Sequence, residues 1–378
     1  MVPTQSKELD DLTFELVQQA STLAGRLNQT VARSVAGIVR SMNCYYSNLI
    51  EGHNTHPVDI DRALSDDYSL DQKQRDLQLE ANAHIHVQAL IDEYPLPYAP
   101  TSPECLKWVH REFYAHLPDS LRWVENPETG ERVEIIPGAF RKKDVRVGGH
   151  IGIAPESIDR FMRRFQDVYS HGSTLDRIKA IPAAHHRLLW IHPFLDGNGR
   201  VARLMTHAIL KECEVGSGLW SVSRGLARQE KRYKELLMGA DMPRQGDLDG
   251  RGHLSLKQLN VFSQFMLETA IDQVVFMGEL LDPAGLAERI DRYVQQNAVP
   301  KGTNRVLREV LFAGEIRRSD VANLTGLQMR HARNVVNKLL ALGLLRTEGP
   351  RKPLRLGFPV DVLDDWFPKL YPMKMRSG

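Results

Sequence analysis

Residues 192–203 read HPFLDGNGRVAR, and their side chains are those that phosphate chemistry needs. His192 carries an imidazole, which can take up a proton near neutral pH. Asp196 offers a hard oxygen suited to a magnesium ion that bridges phosphate oxygens. Gly197, Asn198 and Gly199 make a tight bend, and glycine lets backbone amides converge into one anion-holding concavity. Arg200 and Arg203 follow one turn apart, with planar forks that match phosphate oxygens. Together these residues describe a site that activates a hydroxyl beside a bound nucleoside polyphosphate. The structural alternative is a plain turn with its His-Pro-Phe packed in a core.

Two helices must flank this bend. Leu188 and Ile191 share an apolar helical face that leads up to His192. Pro193 lacks a backbone donor and disfavours helix at the residue before it, so the first helix should stop there. A second helix is predicted from about Arg200, where Val201, Leu204, Met205, Ala208 and Ile209 form an apolar stripe. The bend therefore feeds a helix N-terminus, whose free amides and dipole favour anions. Two cations at that end oppose the dipole by about 0.3–1 kcal/mol each. An anion would reverse that cost.

This segment resembles the signature of the Fic family, His-Pro-Phe-x-Asp/Glu-Gly-Asn-Gly-Arg-x-x-Arg, at every fixed position. The preceding AAHHRLLWI is similar to the family's pre-motif helix. The resemblance covers about residues 33–275. It implies a mainly α fold: a helical core with a β-hairpin flap over the active site. It also implies transfer of AMP from ATP to a Tyr, Thr or Ser hydroxyl of a target protein, with release of pyrophosphate. In that reading His192 is the base and Asp196 holds Mg2+. Gly197, Asn198 and Gly199 form the anion hole, Arg200 binds phosphate, and Arg203 meets the terminal phosphate.

Residues 47–52, SNLIEG, resemble the family's inhibitory motif Ser/Thr-x-x-x-Glu-Gly/Asn. Ser47 and Glu51 lie four residues apart on one helical face, and Gly52 is a natural helix stop. The resemblance implies that Glu51 pairs with Arg203 and blocks the productive ATP pose, and that it can assist removal of AMP from a modified target. Residues 138–156 resemble the flap, with Val145, Arg146, Val147, Gly148, Gly149 and His150 in its span; such a flap docks the target as an added strand. Tyr233 resembles the family's aromatic residue near the adenine, and its place on an apolar helix face suits a core position equally.

The rest of the chain sets the frame. In 378 residues, 49 Lys and Arg face 47 Asp and Glu, so no basic excess argues for a nucleic-acid coat or a polybasic membrane binder. Cys44, Cys105 and Cys213 are scattered, which indicates neither a zinc site nor a disulfide framework. The start shows no signal pattern, and no apolar run reaches the roughly 18 residues of a membrane helix. A cytoplasmic protein with no membrane partner is the expectation.

Three domains are predicted: a helical region with the inhibitory motif (1–95), the catalytic core (96–285) and a winged helix-turn-helix unit (286–378). PLPYAPTSPE marks the first junction. Interleaved β-branched residues and glycines predict a short strand or hairpin region over 121–156. Pro155 should open a helix that carries Ile158, Phe161, Met162 and Phe165, and a long one should run from Ser255 to about Leu281. Asp247 and Asp249 sit in a polar loop without the other positions of a calcium loop. His110, His150, His171, His185, His186 and His207 show no ligand spacing and read as structural or surface residues. In the last unit Ser319 is the expected N-cap of one helix. Gln328, Arg330, His331, Arg333 and Asn334 open the next, where DNA contact and protein docking both stay open. Homodimerisation through this unit is a further expectation. The competing functions are a DNA-binding regulator whose core senses nucleotide, and a related enzyme that moves another phosphate-linked group.

Overall fold

The computed structural model describes residues 6–126, 129–216 and 218–372. It is mainly helical, with three small antiparallel sheets. The chain forms two compact units. The described part of the first is 6–19, 43–126, 129–216 and 221–273; that of the second is 20–42, 218–220 and 274–372.

The first unit is built around the helix Asn198–Glu212, which is buried on nearly all its faces. Its apolar stripe is as expected, with Val201, Leu204, Met205, Ala208 and Ile209 in the core. Even its polar residues Arg200, Arg203, Thr206 and His207 are buried. Helix Thr174–Ile191 packs beside it. Ser173 and Asp176 form a reciprocal capping box at its start. At its end His192 adopts φ +52°, a left-handed cap immediately before Pro193. Helix Pro103–Ala115 opens on Pro103 with Ser102 capping the amide of Cys105. Helix Gln72–Glu93 opens on Asp71, which accepts from Gln74 N–H. Both contact the central helix.

The predicted β region is two hairpins, not one. Trp123–Glu125 pairs with Arg132–Glu134, and Arg146–Val147 pairs with His150–Ile151. The second closes through Gly148 and Gly149, with Gly148 at φ +58° as a two-residue hairpin turn requires. Helices Ile158–Tyr169 and Leu256–Leu280 match the predicted positions. Among the described residues, no helix is long and apolar enough to cross a membrane.

The second unit holds helices Pro283–Gln296, Thr303–Ala313, Asp320–Thr325 and Met329–Ala341. Its sheet places the strand Leu354–Leu356 between Glu315–Ile316 and Leu345–Arg346. Val306, Val310, Leu339, Leu354 and Trp366 fill the core. Ser319 does not cap its helix: it sits in the right-handed helical region, and its hydroxyl bonds to the neighbouring Asp320 side chain. Gln328, Arg330, His331, Arg333 and Asn334 are all exposed.

Candidate active site

The left-handed cap turns His192 out of its helix. Its Nδ1 lies 3.2 Å from the carbonyl of Leu189. A carbonyl only accepts, so Nδ1 carries the proton and Nε2 keeps its lone pair. Burial pushes the imidazole down to about 4, and the His150 and Arg141 charges add to that; the ring is therefore neutral at pH 7. His192 borders a groove of about 550 Å³ that also includes Val124, Val145, Val147, Ile151 and Leu195. Both hairpins thus contribute walls to the space beside the imidazole.

The bend itself is held from several sides. Asn198 clamps it with both ends of its amide: Oδ1 accepts from Phe194 N–H at 3.0 Å, and Nδ2 donates to Phe194 O at 2.9 Å. Phe194 is fully buried and stacks on His110 at 4.1 Å. Gly197 has φ +77°, and a Cβ there would touch the Tyr114 ring at 3.0 Å. Glycine is required at 197 by both conformation and space. Tyr114 donates its hydroxyl to Asp196 Oδ2 at 2.6 Å. Burial by itself would raise the Asp196 carboxyl, but Arg200 and this hydroxyl hold it below the usual carboxylate range.

Arg141 braces the other side. Its side chain is buried and donates to the carbonyls of His192 (2.7 Å), Lys143 (2.8 Å) and Ile153 (2.5 Å). Its own amide donates to Pro193 O at 2.9 Å. One guanidinium therefore joins the base of the second hairpin to the backbone of the candidate base. That hairpin is tied again by His150, whose Nε2 donates to Trp190 O at 2.8 Å and whose Nδ1 lies 3.2 Å from Asp241. Asp241 also lies 2.9 Å from His186 Nε2. The Asp241 hydrogen bond raises His150 above its ordinary value, against the lowering effect of burial.

The two arginines have distinct carboxylate partners. Arg203 donates through Nη2 to Glu51 Oε1 at 2.5 Å, and through Nε to Ser47 Oγ at 2.8 Å. The Glu51 carboxylate lies against Gly199, where any side chain would collide with Oε1. Burial would raise Glu51, but Arg203 and Arg200 overcome it and hold the carboxyl below its ordinary value. Gly52 follows at φ +83° and ends the helix Gln29–Ile50 and its terminal turn. Arg200 donates to Glu80 Oε2 at 3.0 Å, and its guanidinium sits 5.0 Å from the Phe113 ring centre. His53 also bonds Glu80, at 2.7 Å, and that contact raises the imidazole. Asp196 stands 4.0 Å from Arg200.

The fold thus brings Ser47, Glu51, Gly199 and Arg203 together, and His192, Asp196, Gly197, Asn198 and Arg200 around the same bend. Val145, Arg146, Val147, Gly148, Gly149 and His150 lie in the hairpin beside His192. Tyr233 is buried, and its hydroxyl bonds His185 Nε2 at 2.8 Å while His185 Nδ1 bonds Thr206. His185 is a core residue that links Tyr233 to Thr206 of the motif helix. Tyr114, Arg141, Glu80, His53 and Asp241 were not foreseen; each lies in a segment with no motif of its own.

The chain is similar in part to known Fic proteins. Residues 100–210 match the Fic/DOC family model. A 75-residue stretch is 43% identical to the protein adenylyltransferase Fic of Drosophila melanogaster, which is 19% of this chain and 15% of that protein. The Drosophila willistoni relative is 40% identical over the same length. The match therefore spans about 15% of the length of these relatives. A solved Fic family protein from Desulfovibrio desulfuricans superposes with a TM-score of 0.56 at 16% identity, over 95% of this chain and 99% of that one. A Fic-domain signaling protein from Bacteroides thetaiotaomicron covers 71% of this chain and 97% of its own, with a TM-score of 0.50 at 16% identity. A Fic motif complete at every fixed position, set on this bend and within the matched residues 100–210, identifies that part of the chain as a Fic/DOC family domain.

Proposed function

We propose that this chain transfers AMP from ATP to a Ser, Thr or Tyr hydroxyl of a target protein, and that Glu51 holds it in an inhibited state. The observation that carries the reading is the Glu51 carboxylate seated on Arg203 and Gly199 at the N-terminus of the motif helix. A carboxylate there already fills a position built for an anion. His192 Nε2 removes the acceptor's proton, the freed oxygen attacks the α-phosphorus, and the bond to pyrophosphate breaks. The bend's amides and Arg200 stabilise the charge that develops on the phosphate oxygens.

Arg203 takes the terminal phosphate once Glu51 withdraws. The same glutamate would assist water in removing AMP from a modified target. Asp196 fits a magnesium ion: it is a hard, ionised, half-exposed oxygen donor, and one such carboxylate plus substrate phosphates is the usual arrangement. Such an ion would neutralise phosphate charge. The target's backbone lies along the Arg146–Val147 edge of the hairpin, with its hydroxyl reaching His192.

The test is labelling of a candidate target, or of the chain itself, by the Glu51→Gly variant with Mg2+ and either α- or γ-labelled ATP. Label from the α position and none from the γ position is expected. Protein labelled from the γ position would replace AMP transfer with phosphate transfer.

A further inference from the structure

We propose that His86, Glu112 and His116 form a binding site for a zinc-class divalent metal, joining helix Gln72–Glu93 to the end of helix Pro103–Ala115. One ligand atom from each residue lies within 4.8 Å of the others. Tetrahedral bonds of about 2.0–2.2 Å set ligand atoms roughly 3.4 Å apart, so rotamer adjustments of an ångström or so close the site. Glu112 and His116 are four residues apart and share one helical face. His86 approaches from the neighbouring helix, its ring centre 4.1 Å from that of His116.

Two details favour a metal over a simple ring contact. His116 Nδ1 bonds the carbonyl of Glu112 at 2.7 Å. The proton is therefore on Nδ1, and Nε2 presents its lone pair, the orientation that metal-bound histidines commonly owe to such a hydrogen bond. His116 is exposed and His86 is not buried, so their rings can turn toward an ion without disturbing a packed core. Arg111 is the charge nearest the carboxylate, 3.7 Å away and half exposed, and a metal ion can displace so loose a pair. Two imidazoles and one carboxylate, with a fourth position for water, select zinc, cobalt or nickel over magnesium. The site is separate from the phosphate cradle. It lies on the two helices that supply Glu80 and Tyr114, and it does not depend on the proposed reaction.

The experiment is calorimetric titration of the full chain with ZnCl2, after EDTA treatment and with millimolar Mg2+ present to saturate hard oxygen sites. One equivalent binding at about micromolar affinity or tighter is expected, with a loss of at least about tenfold in His86→Ala and in His116→Ala. Unchanged affinity in both variants, or no saturable binding by the unaltered chain up to about 100 µM, overturns the proposal. Circular dichroism confirms folding. Should either variant unfold, the visible spectrum of the Co2+-loaded unaltered chain and of Glu112→Gln decides: tetrahedral bands that weaken in Glu112→Gln support the site, and their absence or persistence rejects it.

Discussion

The two ends of the motif bend solve opposite electrostatic problems. At the His192 end the imidazole is half-buried, faces a carbonyl through Nδ1, and has cations for distant company. Burial keeps it neutral, with the Nε2 lone pair free to take a proton. At the helix end two buried arginines meet three carboxylates, Glu51, Glu80 and Asp196. Opposite charge holds Glu51 and Asp196 below their ordinary values. Five residues, 193–197, lie between the imidazole, poised by desolvation, and the motif helix, whose arginines are poised by pairing. Transfer chemistry needs both, because a base must be free of its proton while an anion site must keep its charges.

Removing the neutral end has the largest expected effect. His192→Ala should lower AMP transfer by about 10²–10⁴-fold, the usual worth of a general base, with ATP affinity nearly unchanged. Transfer at the original rate would place the base elsewhere. Breaking the charged end should act in the opposite direction. Glu51→Gly should raise labelling by about 5–150-fold, the range of a 1–3 kcal/mol coupling. Labelling that does not rise would separate the Glu51–Arg203 contact from any inhibitory role.

The supports should matter less. Tyr114→Phe removes the hydroxyl donated to Asp196, at a net value of about 1.5–3 kcal/mol for a bond to a charged group. In the Glu51→Gly background it should reduce kcat/KM by about tenfold or more, and a change under twofold would demote Tyr114 to packing.

The smallest effects are in pH. His192 is lowered, so it stays unprotonated down to about pH 4, and the kcat of Glu51→Gly should show no acidic limb near 6.5. His150 is raised by Asp241, so its contribution to stability is fully present below the unfolded value near 6.5 and is lost as pH rises through the folded value. Asp241→Asn should therefore lower Tm more at pH 6 than at pH 9; an equal drop at both would mean the contact is not ionic.

Much of the site was readable because it is contiguous. The bend, its base and its two arginines occupy residues 192–203, and Pro193 with the apolar stripe after Arg200 predicted the helix break and restart. The unforeseen residues are remote in the chain. Tyr114 is 82 positions from Asp196, Arg141 is 51 from His192, and Glu80 is 120 from Arg200. None stands in a pattern of its own: an arginine that donates to three carbonyls reads in a sequence like any surface arginine. The division of residues 121–156 into two hairpins was hidden for a related reason. Strands of two or three residues carry too little alternation to mark their partners.

Local order of residues was enough to specify a base, a glycine bend and a helix N-terminus, since φ preferences, proline's missing donor and 3.6-residue periodicity act over a few positions. Folding in three dimensions decided which charges meet there. Glu51 reaches Arg203 across 152 residues, and burial among distant helices sets the protonation of His192. Solvation and Coulomb interactions depend on distance through space, and chain order carries no measure of that distance.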